Sequence, residues 1–371
     1  MKPLFMWAGG KSKMIKKYQP YLPQEFEGYC EPFLGGGAMF IWAYAKQPNA
    51  CFVLNDLNQG IMQIYKSIRD DMDGFLKVLE KLSTEYLKLD KSKSKDDTYK
   101  EWYKKWDIEK FAKNNIEGNY WAKLYEHKPC RRYLYFKVRY DHAYNYKDWS
   151  ATKEAATLYF LMKTGFNGVW QVNQNTNNRF GTPCGLMKQE GSLYDKENIL
   201  QWHEVLQKCT LLSGDFRDTL SYIKKDHYVF LDPPYRGGFA DYGTKKDDEF
   251  QEEVIKFLDS AVEQGAYVLL SNRDMSDDFF EERKGKHQLV KGFDVTYTAG
   301  RRKIKMIEED KAQKAEEEKV LIERLNKELL EGSIEKEDYD KVLADFHAVK
   351  YEHKAKKAKE ILMIGGKSSK S

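Results

Sequence analysis

Short, unbroken apolar runs alternate with longer stretches of helical spacing along this chain. Tyr29-Cys30-Glu31-Pro32-Phe33 predicts the end of a strand, Leu34-Gly35-Gly36-Gly37 a glycine turn, and Ala38-Met39-Phe40-Ile41-Trp42-Ala43-Tyr44 the opening of a helix. Cys51-Phe52-Val53-Leu54 predicts a second strand, ending at Asn55-Asp56. That order over residues 29–60 is the pattern of a nucleotide-binding half of a doubly wound sheet. Strands resume at Tyr228-Val229-Phe230-Leu231, which runs into Asp232, and at Ala266-Tyr267-Val268-Leu269-Leu270, which ends at Ser271-Asn272. A helix is predicted over 247–264, and 287–290 with 293–297 form a closing strand. Ile361-Leu362-Met363-Ile364 is a last apolar strand. The fold class is therefore α/β with a Rossmann-like sheet.

Three segments interrupt the pattern. Residues 61–160 are rich in Lys, Tyr and Trp, helical in texture and broken by the polar stretch 91–97, which predicts an inserted helical domain with a basic, aromatic face. Residues 164–185 are dense in Gly and Asn with alternating apolar positions, which predicts a loop or hairpin. Residues 303–357 are crowded with Lys and Glu and contain no proline. Ile322, Leu325 and Leu329 stand at helical spacing there, Ser333 is placed to cap a second helix, and that helix carries Tyr339, Val342 and Phe346. A helical hairpin follows, with arms of about 25 residues and ~35–40 Å long at 1.5 Å per residue. The expected organisation is a catalytic core over 1–60, 205–302 and 358–366, a helical insert over 61–204, the charged hairpin over 303–357 and a loose tail over 367–371.

A net charge of +4 neither demands nor excludes nucleic acid, so local charge placement has to decide. The five cysteines are scattered, without a C-x-x-C pair or neighbouring histidines, which predicts reduced thiols and no metal site. No signal-peptide pattern opens the chain, and no uncharged apolar stretch approaches 20 residues, so a cytoplasmic protein away from membranes is expected.

Asp232-Pro233-Pro234-Tyr235, at the end of a buried strand, is the most specific chemical signal. An aromatic amine is a poor nucleophile because its lone pair is delocalised into the ring. Acceptors on its two N–H bonds draw the nitrogen towards tetrahedral geometry. Asp232 can accept one N–H and the Pro233 carbonyl the other, while the prolines fix φ and remove competing donors. Tyr235 offers a ring for stacking an extruded base. A methyl donor of sulfonium type needs in-line positioning more than a strong base. The same four residues also suit a plain proline turn after a strand.

Supporting signals are less specific. Gly35 and Gly37 allow positive φ and close approach of a cofactor, though the turn is not the G-x-G-x-x-G fingerprint. Asp56 stands about 20 residues on, where an acid can hold ribose hydroxyls. Trp7-Ala8-Gly9-Gly10-Lys11 sets an indole and an ammonium near the start, and Gly214-Asp215-Phe216 follows an apolar run where it can meet an adenine ring. No nucleotide triphosphate site of the G-x-x-x-x-G-K-[ST] type occurs.

Taken in order, Trp7-Ala8-Gly9-Gly10-Lys11, Glu31-Pro32-Phe33-Leu34-Gly35-Gly36-Gly37, Asn55-Asp56, Phe166-Asn167-Gly168, Asp232-Pro233-Pro234-Tyr235 and Ser271-Asn272-Arg273-Asp274 resemble the Dam-like (D12 class, alpha group) DNA adenine-N6 methyltransferases of bacteria and phages. The resemblance spans residues 1–302 and resumes at 357–364. It implies a Rossmann-like methyltransferase sheet with an inserted DNA-recognition domain. It implies S-adenosylmethionine held by Trp7, Gly9, Lys11, Glu31, Phe33, Gly35, Gly37, Asp56, Asp215 and Phe216, with S-adenosylhomocysteine as product. Catalysis by Asp232, Pro233, Pro234 and Tyr235 on a flipped adenine in double-stranded DNA is implied, with DNA contact from Asn167, Gly168, Gln171, Asn173 and Arg179. Restriction-modification or solitary methylation in a bacterial or phage-infected cell is the implied setting.

Two departures bear on that reading. GATC-specific members carry an arginine where this chain has Gln171, so a bidentate contact to guanine is missing and the recognised sequence is left open. Residues 303–357 have no counterpart in compact members. Arg301, Arg302, Lys303 and Lys305 there can reach phosphate, and a solvated spacer and a partner-binding arm both remain open. An acceptor pair of this kind serves any aromatic amine, so N4-cytosine or RNA-base methylation is the alternative within enzymes. A DNA-occupying protein without turnover is the alternative outside them.

Overall fold

In the computed structural model, the described residues are 1–7, 9–89, 120–185, 189–236, 248–297, 316, 318–329, 331, 335–348 and 356–367. Strand β1 (Gly28–Glu31) is buried at every position, and β2 (Cys51–Leu54) lies beside it in parallel, joined by the glycine turn and the helix Ala38–Lys46. β3 (Val172–Asn173) and β4 (Arg179–Phe180) form a separate antiparallel ribbon. β5 (Cys209–Leu211), β6 (His227–Leu231), β7 (Tyr267–Arg273), β8 (Gln288–Tyr297) and β9 (Lys356–Gly365) complete a seven-stranded sheet in the order β5-β2-β1-β6-β7-β9-β8. The pairs β1–β2, β1–β6, β2–β5 and β6–β7 are parallel, and β9 runs antiparallel to β7. Parallel strands covered on both faces read as continuous apolar runs, which is why Tyr228 to Leu231 carried no alternation.

That order places a switch point between β1 and β6. From β1 the chain builds outward through β2 to β5, then returns to the other side of β1 for β6. Crevices for ligands open at the C-terminal strand ends where such a reversal occurs. Glu31 ends β1 and Asp232 follows β6, so two of the site residues expected from the sequence stand at these strand ends by topology.

One strand departs from expectation. β7 continues through Ser271 and Asn272 to Arg273, because it pairs with β9 as far as Arg273 opposite Glu360. The closing strand expected from 287–290 with 293–297 is present as the ten residues Gln288–Tyr297, with Gly292 at φ +96°.

Sheet and helical segment belong to one compact unit, Met1–Val295 with Ala358–Ser371. Ala151–Thr164 packs on both Gln59–Asp70 and Met72–Lys88, and Lys196–Leu206 packs on Gln59–Asp70. Thr296–Lys357 is a second unit. It contains a helix over 318–329 and the helix Lys336–Ala348, with Leu325 and Tyr339 withdrawn from solvent and Val342 exposed. Residues 91–97, Arg301, Arg302, Lys303, Lys305 and the expected cap Ser333 lie outside the described residues. Among the described residues no helix is long and apolar enough to cross a membrane.

Candidate active site

Lys11 anchors the centre of the site. The Trp7 carbonyl accepts from Gly10 N at 3.1 Å, and Gly9 takes φ +85°, so the chain curls back towards the sheet. The Lys11 ammonium, only 3% exposed, donates to the Gly9 carbonyl at 2.9 Å and lies 2.8 Å from Asp232 Oδ1. It also sits 4.9 Å from the centre of the Tyr235 ring. Burial pushes the Asp232 carboxyl above its ordinary range, and the Lys11 charge opposes that rise. The acid is thereby a better proton acceptor than a solvated one, yet a cation beside it favours its ionised form.

Buried amides hold the proline turn. Gln251 Nε2 donates to the Pro234 carbonyl at 2.8 Å, and Asn272 Nδ2 donates to Gln251 Oε1 at 2.8 Å. Asn272 Oδ1 accepts from Arg273 N at 2.8 Å and from Arg236 N at 3.4 Å. The Pro234 carbonyl is thereby held by the Gln251 amide.

Across the switch point, Glu31 is buried and accepts from the Tyr29 hydroxyl at 2.7 Å, and burial raises its carboxyl well above the ordinary range. Asp56 accepts from Gly35 N and Asn58 N, each at 2.8 Å, and burial pushes it up to about 6. Asn55 binds three strand ends together, donating to Pro32 O and Gly214 O and accepting from Gly214 N. Gly35 and Gly37 take φ +49° and +67°, and a Cβ on Gly35 would stand 2.6 Å from Trp7 Nε1, so glycine is required where the turn meets the indole. Phe33 and Phe216 stack at 5.2 Å. Asp215 instead caps the following turn and pairs with Arg217 at 2.7 Å. An open cavity of about 700 Å³ is lined by Asn55, Gly214 and Arg217 but by none of residues 232–235.

The hairpin predicted over 164–185 is built as a turn at Phe166–Gly168 and the β3–β4 ribbon. Asn167 and Gly168 take φ 51° and 62°, and Asn177 and Asn178 turn the ribbon at φ 51° and 59°. Trp170 links it to Trp7 at 5.9 Å between ring centres. Asn167 and Asn173 are exposed and Gln171 is half-buried. Arg179 does not join them as a free cation. Its guanidinium donates to the His142 carbonyl, pairs with Glu154 at 2.6 Å and stacks 3.7 Å over Tyr146, which makes it the anchor of the ribbon to the helices beneath.

Several site residues carried no signal of their own in the sequence. Gln251 and Tyr18 sit in ordinary helical stretches. Glu360 lies just before the apolar run 361–364 and proves 1% exposed, 4.0 Å from Lys11 Nζ.

A mostly parallel sheet with an acid–Pro–Pro–Tyr turn and a glycine turn facing each other across its switch point defines a methyltransferase that acts on an amine. The chain matches the family described as D12 class N6 adenine-specific DNA methyltransferase over residues 7–304, and it belongs to that family. It is 30% identical to the Type II methyltransferase M.MjaIII of Methanocaldococcus jannaschii, over 82% of this chain and 93% of that one. Identity is 25% with the Type II methyltransferase M1.LlaDCHI of Lactococcus lactis, over 73% and 81%, and 21% with the DNA adenine methylase of Haemophilus influenzae, over 74% and 80%.

Proposed function

We propose that this chain methylates N6 of an adenine flipped out of double-stranded DNA, at a site it selects through the 164–185 hairpin. The observation that carries the reading is the Lys11–Asp232 pair beside Tyr235 at the switch point. An adenine amine placed there meets one acceptor in Asp232 and another in the Pro233 carbonyl, which pulls its lone pair out of the ring. Tyr235 offers its face to the base.

The residues opposite fit S-adenosylmethionine. Asp56 has lone pairs left for ribose hydroxyls after accepting two backbone N–H groups, the Glu31 carboxyl and the Lys11 ammonium offer polar partners for an amino-acid moiety, and Phe33 and Phe216 supply aromatic faces. When bound, that cofactor supplies an electrophilic methyl group. The protein contributes placement of the amine, polarisation of its N–H bonds and removal of one proton by Asp232.

Adenine is favoured over cytosine or RNA by the family to which the chain belongs. The decisive experiment reads modified bases in DNA from cells expressing the chain and its Asp232→Ala variant. N6-methyladenine in a short recurrent motif, lost in the variant, is the expected result. N4-methylcytosine instead would transfer the reading to the other amine, and no modified base despite DNA binding would leave only site occupancy.

A further inference from the structure

Tyr235 is held through both of its chain neighbours. On one side Gln251 holds the Pro234 carbonyl, and on the other Arg236 N donates to Asn272 Oδ1 at 3.4 Å. The Arg236 side chain then reaches two further elements. Its Nε lies 2.7 Å from Asp248 Oδ1, at the start of the helix Asp248–Glu263, and its Nη1 lies 2.7 Å from Asp277 Oδ2, beyond β7. Its guanidinium also sits 4.1 Å from the centre of the Phe279 ring. The Tyr235 hydroxyl is fixed separately, with Ser271 Oγ 2.8 Å away and itself 3.0 Å from the Tyr18 hydroxyl. A half-buried ring is thus tied at its backbone and at its hydroxyl. The side chains of Asp248 and Asp277 are 60% and 44% exposed, against 14% for Arg236. Ion pairs with acids so exposed contribute little to stability. What a planar guanidinium between two acids supplies is direction, because its N–H groups form a rigid fork.

We propose that Arg236 is a positioning residue for capture of the extruded base. The inference rests on the methylation reading above. The two ion pairs and the contact with Phe279 set the backbone that follows Tyr235, while Ser271 sets the hydroxyl. The ring therefore keeps one plane and offers one face to the adenine that leaves the duplex. Extrusion costs the pairing and stacking of that base, and a stacking surface already in place offsets part of the cost. A ring left to turn about its side-chain bonds offsets less, because ordering it on contact costs conformational entropy. Arg236 acts through Tyr235 and takes no part in the transfer itself.

The test uses two duplexes carrying the motif that the intact chain modifies, located by sequencing modified bases in DNA from expressing cells. In one the target adenine faces thymine; in the other it faces an abasic site, which lowers the cost of extrusion. Single-turnover methylation of each is compared for the intact chain, Arg236→Met and Arg236→Lys, with cofactor affinity read by calorimetry and fold by thermal melting. Arg236→Met is expected to lose about tenfold in rate on the paired duplex and less than about threefold on the abasic one, at unchanged cofactor affinity. Arg236→Lys, which keeps the charge, is expected to recover part of the loss. Equal losses on the two duplexes would overturn the inference, as would an unchanged rate on paired DNA in folded Arg236→Met. Should Arg236→Met fail to fold, Asp277→Asn removes one of the two ion pairs and carries the same comparison. An intact chain whose DNA contains no N6-methyladenine sinks the methylation reading, and this inference falls with it; equal losses on the two duplexes sink this inference alone.

Discussion

The Lys11 ammonium stands 2.8 Å from the Asp232 carboxylate, so the acid that follows β6 is held by a residue near the start of the chain. Lys11 is 3% exposed and also lies 4.0 Å from Glu360 Oε1. Replacing it by methionine leaves two acids without their shared partner. Lys11→Met is expected to lower unfolding free energy by about 3–5 kcal/mol, the usual cost of breaking a buried pair, and methylation by about 100-fold or more. Urea unfolding and methyl incorporation into DNA read the two effects.

The same pair sets a pH dependence. Asp232 accepts protons only as a carboxylate, so activity falls as the pH drops through its folded pKa. Burial raises that value above 3.8 and Lys11 lowers it. Removing Lys11 must therefore move the acid limb of the rate profile to higher pH. A limb that stays in place in Lys11→Met contradicts the assignment of Asp232 as the titrating group.

Gln251 is fully buried and joins the Pro234 carbonyl to Asn272. Gln251→Leu keeps the bulk but strands an acceptor and a donor, which costs about 1–3 kcal/mol for each buried group left unpaired. The turn also loses the bond that keeps Pro234 O occupied. We expect a lower single-turnover rate with little change in cofactor affinity. A fall in cofactor affinity of the same size as the fall in rate would show that the clamp serves the whole crevice.

Gly35 faces the Trp7 indole at φ +49°. Gly35→Ala combines a left-handed backbone with a close contact to an indole, and about 1–3 kcal/mol of strain is expected. Cofactor binding measured by calorimetry should weaken more than DNA binding does. Equal weakening of both would place the turn's role in general stability.

Arg179 and Gln171 separate support from recognition. Arg179→Met removes the bonds to His142 O and the pair with Glu154, and should lower melting temperature and reduce methylation of every DNA sequence alike. Gln171→Ala, at a half-buried position, should leave melting unchanged and alter which sequences are methylated. Sequencing of N6-methyladenine sites with thermal melting reads both. An Arg179→Met variant that melts as the wild type does and changes target choice reverses the assignment.

Local spacing alone determined much of this protein. The strand–glycine turn–helix–strand run near the start, the apolar strand feeding Asp232 and the Asn-rich hairpin are all written in short windows, because backbone turns and buried parallel strands need particular residues within a few positions. Those windows also carried the resemblance that names the family. Tertiary structure decided what no window contains. It set Lys11 on Asp232, drew Glu360, Tyr18 and Ser271 together from distant segments, gave Gln251 the proline turn to hold, and tied Arg179 to the helices beneath its ribbon. Each of these rests on contacts between segments distant in the chain, where burial makes a single polar contact decisive and where spacing along the chain carries no information.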